Sequence, residues 1–263
     1  MVKMVVMDLD GTLIDFEQHM SLMTKDCLRK LKEKKIVTVI NSGRVVKALK
    51  EVVKQFNLEG LIDYLIGANG AELYNVKTKE YQIIDNLEID CIKEIINKYS
   101  KYEMGLGVYD DSFLINKLEP IAVKRFNMVK YPIELFDFNK LNKVYPKVLA
   151  IFDPKHYNYF KDLIDLEKDD RYDAYFSNKM MIEFVPKMMN KSKGNIILGN
   201  NLGIKADEML CFGDGDNDIE MLREHIGVCV GDNPKLLAVA KYQTDIVEND
   251  GFAQFIKKYF NFN

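Results

Sequence analysis

The 263-residue sequence has no tryptophan, only three histidines and four widely spaced cysteines. The cysteines form no C-x-x-C pair, so we expect buried free thiols rather than disulfides or a zinc site. No apolar run approaches the roughly 18 residues that a membrane-spanning helix needs. The formal net charge of −3 lacks the basic excess typical of a general nucleic-acid binder. These absences predict a cytoplasmic protein with no nucleic-acid or membrane partner. We expect a monomer or a small homo-oligomer.

What is present is an ordinary globular balance of 48% hydrophobic and 29% charged residues. Continuous apolar runs at residues 4–7, 36–40 and 62–66 predict strands that are buried on both faces. Residues 21–34 and 45–56, which lie between these runs, have apolar residues at helical spacing. Strands that alternate with helices are typical of a parallel sheet with helices packed against it.

The pattern changes near residue 80 and returns after residue 186. Residues 104–116 and 174–185 read as hairpins, and hairpins imply an antiparallel sheet. We therefore predict an α/β fold in two parts. A Rossmann-like parallel-sheet core comprises residues 1–80 and 187–263, and an α+β domain of residues 81–186 is inserted into it.

Two aspartates, Asp8 and Asp10, follow the first predicted strand directly. Residues two apart along an extended chain point the same way, and neighbouring carboxylates repel unless a cation lies between them. Mg²⁺ suits such a pair because it takes oxygen ligands and leaves positions open for a phosphate. A solvated acidic turn is the alternative, although the buried apolar run just before the pair weakens it.

Two further segments offer donors for an anion. Ser42, Gly43 and Arg44 follow the second strand, where a hydroxyl and a glycine amide suit a phosphoryl oxygen. Lys193 would lie in the first turn of a helix predicted at 192–201 with Ser192 as its N-cap, a place that the helix dipole disfavours for a cation. The alternatives are a common turn with a surface arginine and a solvent-facing lysine.

The last segment is an acidic loop with two glycines, Gly213-Asp214-Gly215-Asp216-Asn217-Asp218, directly after a predicted strand at 209–212. A calcium loop of the EF-hand type counted from Asp214 needs glycine at its sixth position and glutamate at its twelfth. Those positions hold Ile219 and His225. The loop is instead suited to complete a metal site with Asp8.

Taken together, the four segments resemble the motifs of the haloacid dehalogenase-like superfamily, and within it the Cof-type phosphatases with a type IIB cap. The likeness spans nearly the whole chain in the right order. The matching segments are residues 8–13, 42–44, 192–194 and 213–218. Residues 187–191 lack the glycine that is common before the third motif. By this resemblance the inserted domain is a cap of the C2B type, which would close over the site and shape the leaving-group pocket.

The resemblance also implies roles for the motif residues. Asp8 is the expected nucleophile, and Asp10 the expected general acid and base. Mg²⁺ is expected on the Asp8 carboxylate, the Asp10 backbone carbonyl and Asp214. The remaining expectations concern the groups around the phosphate: Ser42, Gly43, Lys193 and Asn217 bind it, Lys193 neutralises Asp8, Asp218 orients Lys193 or a metal-bound water, and Arg44 contacts substrate or the closed cap.

The expected function is Mg²⁺-dependent hydrolysis of a small phosphorylated metabolite, with a sugar phosphate favoured, through an aspartyl-phosphate intermediate. Two alternatives stay open at this point. One is a phosphate-binding regulatory protein without turnover. The other is a phosphotransferase or mutase on the same scaffold, which differs only in the acceptor that meets the aspartyl-phosphate.

Overall fold

The structure, a computed structural model, describes residues 1–128 and 131–262. The chain divides into two units, the first formed by Met1–Ile84 with Asn190–Asn263 and the second by Asp85–Met189. The second unit is thus an insertion in the first. Its limits lie a few residues after the predicted boundaries of 80/81 and 186/187.

The first stretch of the first unit alternates strands and helices before it ends in two extra strands. Its elements are β1 (Met4–Met7), α1 (Leu22–Glu33), β2 (Val37–Asn41), α2 (Val46–Gln55), β3 (Tyr64–Gly67), β4 (Glu72–Asn75) and β5 (Tyr81–Ile83). The hydroxyl of Ser21 caps α1 by accepting a hydrogen bond from the Thr24 amide at 2.9 Å. This cap confirms the predicted start of the first helix.

The second unit mixes hairpins and short helices. Its elements are α3 (Ile89–Tyr99), β6 (Met104–Tyr109), β7 (Phe113–Ile115), α4 (Pro120–Met128), β8 (Ile133–Leu135), β9 (Val148–Phe152), α5 (Tyr157–Asp165), β10 (Tyr172–Asn178) and β11 (Met181–Pro186). The predicted hairpin at 174–185 is present as β10 and β11. The helix predicted at 119–129 is α4, and residue 129 lies outside the described residues.

The chain then returns to the first unit and to regular alternation. The elements are α6 (Lys191–Leu202), β12 (Met209–Gly213), α7 (Ile219–Glu224), β13 (Ile226–Val230), α8 (Pro234–Leu237), β14 (Tyr242–Thr244) and α9 (Gly251–Phe260).

The core sheet has the strand order β14-β13-β12-β1-β2-β3-β4-β5, and its first six strands are parallel. The predicted parallel-sheet core is therefore confirmed. The sequence did not reveal β4 and β5, which extend one edge of this sheet as antiparallel strands. They are short, and β5 is exposed along its length, so neither gives an apolar pattern. The second unit holds a separate six-stranded sheet in the order β10-β11-β9-β6-β7-β8.

The central strand β1 is buried on both faces, as its unbroken apolar run predicts. Val5 and Met7 join an apolar cluster with α1, α2 and α9. Met4 and Val6 pack in a second cluster on the opposite face, with residues of α6 and α7. Because both faces are packed, the chain that leaves the end of β1 starts from a fixed position.

No helix in the described part of the chain combines the length and the apolar character needed to span a bilayer.

The four cysteines are all free and buried. Burial raises the pKa of the Cys27 and Cys91 thiols to about 11, and it raises those of Cys211 and Cys229 as well. We expect the folded protein to react negligibly with a disulfide reagent at pH 8, because the thiols are both protonated and shielded. The chain unfolded in guanidinium should titrate four thiols. Rapid reaction of any thiol under native conditions would contradict this packing.

Candidate active site

Three neighbouring strands of the core sheet, β12, β1 and β2, run parallel and end at the same edge. The residues that follow them directly are Asp214, Asp8 and Ser42. Ligands of open α/β sheets bind at this edge, outside the carboxyl ends of the strands. The topology therefore brings three of the predicted motifs to one place.

A lysine lies between two carboxylates at this edge. The Nζ of Lys191 is 2.6 Å from Asp8 Oδ1 and 2.7 Å from Asp218 Oδ1. The Lys191 and Asp218 side chains have no exposed surface, and that of Asp8 is 10% exposed. Buried charges need such pairing, because an isolated ion loses its hydration without compensation. Lys191 is thus the cation that neutralises Asp8.

The prediction that Lys193 takes this position is wrong, because its side chain is exposed. The error arises from the helix start. The N-cap of α6 is Asn190, whose side chain accepts a hydrogen bond from the Lys193 amide at 2.9 Å, and Ser192 lies inside the helix. Residues two apart on a helix point about 200° apart, so only one of the two lysines can face the sheet. The helix begins at Lys191, and that residue faces inward.

Two neighbours fix the backbone at the start of α6. The side-chain amide of Asn41, at the end of β2, donates to the Lys191 carbonyl at 2.9 Å and to Asn195 Oδ1 at 2.7 Å. Gly194 permits close approach of α6 to the turn at Ala68–Gly70, since a Cβ there would lie 2.8 Å from the Gly70 Cα. The lysine is therefore carried on a helix end with little freedom to shift.

The acidic loop after β12 is shaped by Asp218. Its Oδ2 accepts hydrogen bonds from the amides of Asp214 at 3.1 Å and Gly215 at 3.0 Å. The Asp214 carboxylate is held from the other side by the hydroxyl of Thr12, which donates to Oδ1 at 2.7 Å. Gly11 has a φ of 86°, and a Cβ there would lie 2.2 Å from Asp214 Oδ2. Only glycine fits this turn, so the first and fourth motifs interlock.

Carboxylate oxygens of Asp8, Asp214 and Asp218 lie within 4.8 Å of one another. Burial raises the pKa of Asp8 well above its usual range, and Asp218 and Asp214 add to the rise against the opposing effect of Lys191. Burial and Asp218 raise the pKa of Asp214 to about 6. Burial alone would lower the pKa of Lys191, but the two carboxylates hold it above its ordinary value. Three acids that face one base leave an excess of negative charge, which suits a divalent cation.

The Asp10 carboxylate is held separately, in an ion pair with Arg44. The Nε and a terminal nitrogen of Arg44 donate to its two oxygens at 2.9 and 2.5 Å. Gln18 completes the group, since it accepts from Arg44 at 3.0 Å and donates to Asp10 at 3.2 Å. A bidentate pair of this kind fixes the carboxylate in orientation as well as position. The contact of Arg44 that the structure shows is therefore with Asp10.

The remaining predicted phosphate ligands lie beside this group. Ser42 is buried, and its hydroxyl oxygen accepts a hydrogen bond from the Arg44 amide at 3.1 Å. Asn217 is exposed, and its side chain donates to Asn69 Oδ1 at 3.1 Å. A Cβ on Gly43 would lie 3.3 Å from the same Asn69 oxygen. The structure thus brings Gly43 and Asn217 close to the same side-chain oxygen of Asn69.

Sequence reasoning gave no role to Thr12, Gln18 or Asn41. Asn41 is a polar residue at the end of an apolar strand, and Thr12 lies in a turn beside the apolar Leu13. A polar residue in such a place is a usable signal for a buried hydrogen bond. Gln18 lies in a polar loop and has a left-handed φ of 65°, and nothing in its sequence context indicates a contact with Asp10. For Lys191, the available signal was Asn190, a residue type favoured at the N-cap.

Comparison with known proteins gives a consistent picture. The family model for haloacid dehalogenase-like hydrolases matches residues 5–256. A 5-amino-6-(5-phospho-D-ribitylamino)uracil phosphatase of Bacillus subtilis is 25% identical and covers 98% of this chain and 97% of its own length. An HMP-PP phosphatase of Serratia proteamaculans is 26% identical over 84% of this chain and 81% of its own length. A haloacid dehalogenase-like hydrolase from Bacteroides thetaiotaomicron has the same fold, with a TM-score of 0.87 at 23% identity over 98% of this chain and 100% of its own.

Proposed function

This chain belongs to the haloacid dehalogenase-like hydrolases, and we propose that it is a Mg²⁺-dependent phosphatase that cleaves the phosphate monoester of a small metabolite. The family expected from the four motifs, and its enzyme class, are thereby confirmed. The cofactor, the substrate class and the residue roles below are our proposal. So are the cytoplasmic location and the role of the inserted unit as a cap.

The observation that carries the proposal is the contact of Lys191 Nζ with Asp8 at 2.6 Å and with Asp218 at 2.7 Å. A carboxylate attacks an anionic phosphate only if its own charge and that of the phosphate are offset. Lys191 supplies one positive charge at the nucleophile. We therefore transfer to Lys191 the role first expected of Lys193.

The acidic cluster fits a magnesium ion, because its donors are all carboxylate oxygens and their number exceeds the charge of the single lysine. Asp8 and Asp214 would hold the ion, with the Asp10 backbone carbonyl as expected from the motif. Asp218 already binds Lys191 and two loop amides, so we assign it to orienting those groups rather than to the metal. When bound, the ion would offset negative charge on the nucleophile and the phosphate.

In the first half of the reaction, a carboxylate oxygen of Asp8 attacks the phosphorus atom and forms an acyl-phosphate bond. The bond between phosphorus and the ester oxygen breaks, and the leaving alkoxide takes a proton from the Asp10 carboxyl group. Ser42, the Gly43 amide and Asn217 would bind the phosphoryl oxygens.

In the second half, Asp10 accepts a proton from a water molecule that attacks the phosphorus atom of the aspartyl-phosphate. The acyl-phosphate bond breaks, and inorganic phosphate and the free Asp8 carboxylate are released. The bidentate contact with Arg44 would orient Asp10 for the proton that it accepts from water, and one of the two hydrogen bonds would have to open when Asp10 carries the proton that it donates. Gln18 supports the same orientation.

For the substrate, we favour a phosphorylated sugar or sugar alcohol. The Bacillus subtilis relative is named for a substrate with a phosphorylated ribityl chain, and that name supports a polyhydroxylated leaving group here.

We expect release of inorganic phosphate from an aryl phosphate or a sugar phosphate with Mg²⁺, and none after chelation. Asp8→Asn should reduce this release to background, because an amide cannot form the acyl-phosphate. Asp15→Asn is the matched control, since this carboxylate lies in the adjacent loop and pairs with His19. Phosphate release measured by colorimetry, with folding checked by circular dichroism, decides the result.

An active Asp8→Asn variant would overturn the nucleophile assignment. Mg²⁺ binding without turnover on a broad panel of phosphate monoesters would favour the regulatory alternative. Transfer of the phosphoryl group to an added alcohol in preference to water would favour the phosphotransferase alternative.

A further inference from the structure

Ser192, Glu224 and His225 form a polar cluster to which neither the motifs nor the proposed reaction gives a role. Ser192 is buried, His225 is partly buried and Glu224 is exposed. The Ser192 Oγ lies 2.5 Å from Glu224 Oε2 and 3.1 Å from His225 Nε2. The other ring nitrogen of His225 faces the Ala206 carbonyl at 3.4 Å. Because a serine, a histidine and a carboxylate also make up a catalytic triad, a catalytic role has to be considered first.

A nucleophilic triad is excluded by the order of contacts and by burial. In such a triad the carboxylate supports the histidine, and the serine is open to substrate. Here Glu224 contacts the serine directly, and Ser192 has no exposed surface. The cluster therefore binds elements together and does not attack a substrate.

The elements it joins are the two that carry the buried ion pair. Ser192 follows Lys191 on α6, and Glu224 is the last residue of α7. Asp218 immediately precedes α7 at its other end and binds Lys191. The two ends of α7 thus contact two consecutive residues of α6. Asp218, before the first residue of α7, pairs with Lys191, and Glu224, the last residue, accepts a hydrogen bond from Ser192.

We propose that Ser192, Glu224 and His225 are positioning residues that fix α7 against α6 and so hold Asp218 and Lys191 in register at Asp8. With six residues, α7 is about 9 Å long and moves as one rigid element. A change at its Glu224 end would let it pivot and move Asp218 at the other end. The kinetic part of this inference rests on the proposed phosphatase function.

The Glu224 carboxylate only accepts, so the Ser192 hydroxyl donates to it and the serine oxygen is left to accept from His225 Nε2. The Ala206 carbonyl also only accepts, so a neutral His225 donates to one of these two oxygens and a protonated ring donates to both. Both bonds depend on the hydroxyl, so Ser192→Ala should release Glu224 and His225 together. Glu224→Gln keeps an oxygen acceptor and should retain function, whereas Glu224→Ala should not. Glu220→Ala is a matched control on the same helix, since Glu220 is partly exposed and its partner is Arg223.

The first readout is chemical labelling of amines, which requires no activity. Acetic anhydride should acetylate Lys193 rapidly and Lys191 slowly in the wild type. A protease that cuts at acidic residues leaves both lysines in one peptide, and fragment ions in tandem mass spectrometry then report each lysine separately. In Ser192→Ala and Glu224→Ala, well below the thermal midpoint, we expect the ratio of Lys191 to Lys193 labelling to rise about tenfold. Glu224→Gln and Glu220→Ala should retain the wild-type ratio.

The second readout separates positioning from general stability. Ser192→Ala and Glu224→Ala should lower kcat about tenfold while KM stays within about twofold, because the misplaced groups act at the nucleophile. Wild-type kcat and labelling in both variants, with only a lower thermal midpoint, would overturn the inference. If the wild type hydrolyses no phosphate ester, the proposed function fails, while the labelling ratio still decides the positioning role.

Discussion

Replacing Lys191 with methionine should lower phosphate release about 1,000-fold, the loss expected when a preorganised electrostatic group is removed from an active site. Lys193→Met should leave it within about twofold, since that side chain is exposed and surface changes have small effects. The two variants change the same residue type two positions apart on one helix. Steady-state kinetics on the best substrate found would measure both.

The same pair should differ in stability. Methionine at position 191 leaves the buried Asp8 and Asp218 carboxylates without their cation, and breaking a buried pair costs about 3 kcal/mol. The unfolding free energy of Lys193→Met should match that of the wild type. An inactive Lys193→Met with an active Lys191→Met would reverse the assignment. Unchanged activity in both would remove the lysine from the mechanism.

Replacing Asp214 with asparagine should lower activity at least about 100-fold, because a metal ligand loses its charge. The amide oxygen can still accept the hydrogen bond from Thr12, so the loop geometry is preserved. Asp216→Asn is the control two residues away, where the carboxylate is largely exposed and paired with Lys235. Its activity should change little.

Thermal unfolding with and without Mg²⁺ tests whether Asp214→Asn loses activity because it no longer binds the metal. A ligand that binds only the folded state raises its stability, by about 2.7 kcal/mol at 100 times the dissociation constant. Wild type and Asp216→Asn should show this rise, and Asp214→Asn should largely lose it. Equal stabilisation of all three proteins by Mg²⁺ would place the metal elsewhere.

Without Mg²⁺, the order of thermal stability should be reversed, with Asp214→Asn more stable than the wild type. The pKa of Asp214 is raised to about 6 from 3.8 in the folded state. A carboxyl group with a raised folded pKa favours folding while protonated, and this contribution is lost as the pH rises through 6. Without Mg²⁺ at pH 7.5, Asp214→Asn should therefore unfold at a higher temperature than the wild type. The difference should shrink below pH 5.

Most of the fold could be predicted from apolar periodicity. The runs at β1, β2 and β3 and the helices between them gave a parallel sheet, and parallel strands fix which residues meet at its carboxyl edge. The strands β4 and β5 could not be predicted: β4 is buried but only four residues long, and β5 is an exposed edge strand that needs no apolar face.

The residues of the candidate site also fall into two groups, those that the sequence predicted and those that it did not. Asp8, Asp214 and Ser42 were accessible from sequence because each follows a buried strand directly, and strand ends are recognisable. The partners of Thr12 and Gln18 were not accessible, because they depend on how loops fold back onto the site.

The choice between Lys191 and Lys193 needed the tertiary structure. The segment Asn190-Lys191-Ser192-Lys193 offers two residues suited to an N-cap and two lysines, and a shift of the helix start by two positions exchanges which lysine faces inward. The sequence by itself determined the family, the parallel part of the sheet and the acidic strand ends. Only the tertiary contacts of α6 decided which ammonium group reaches Asp8, because the local sequence allows both helix starts and each start turns a different lysine inward.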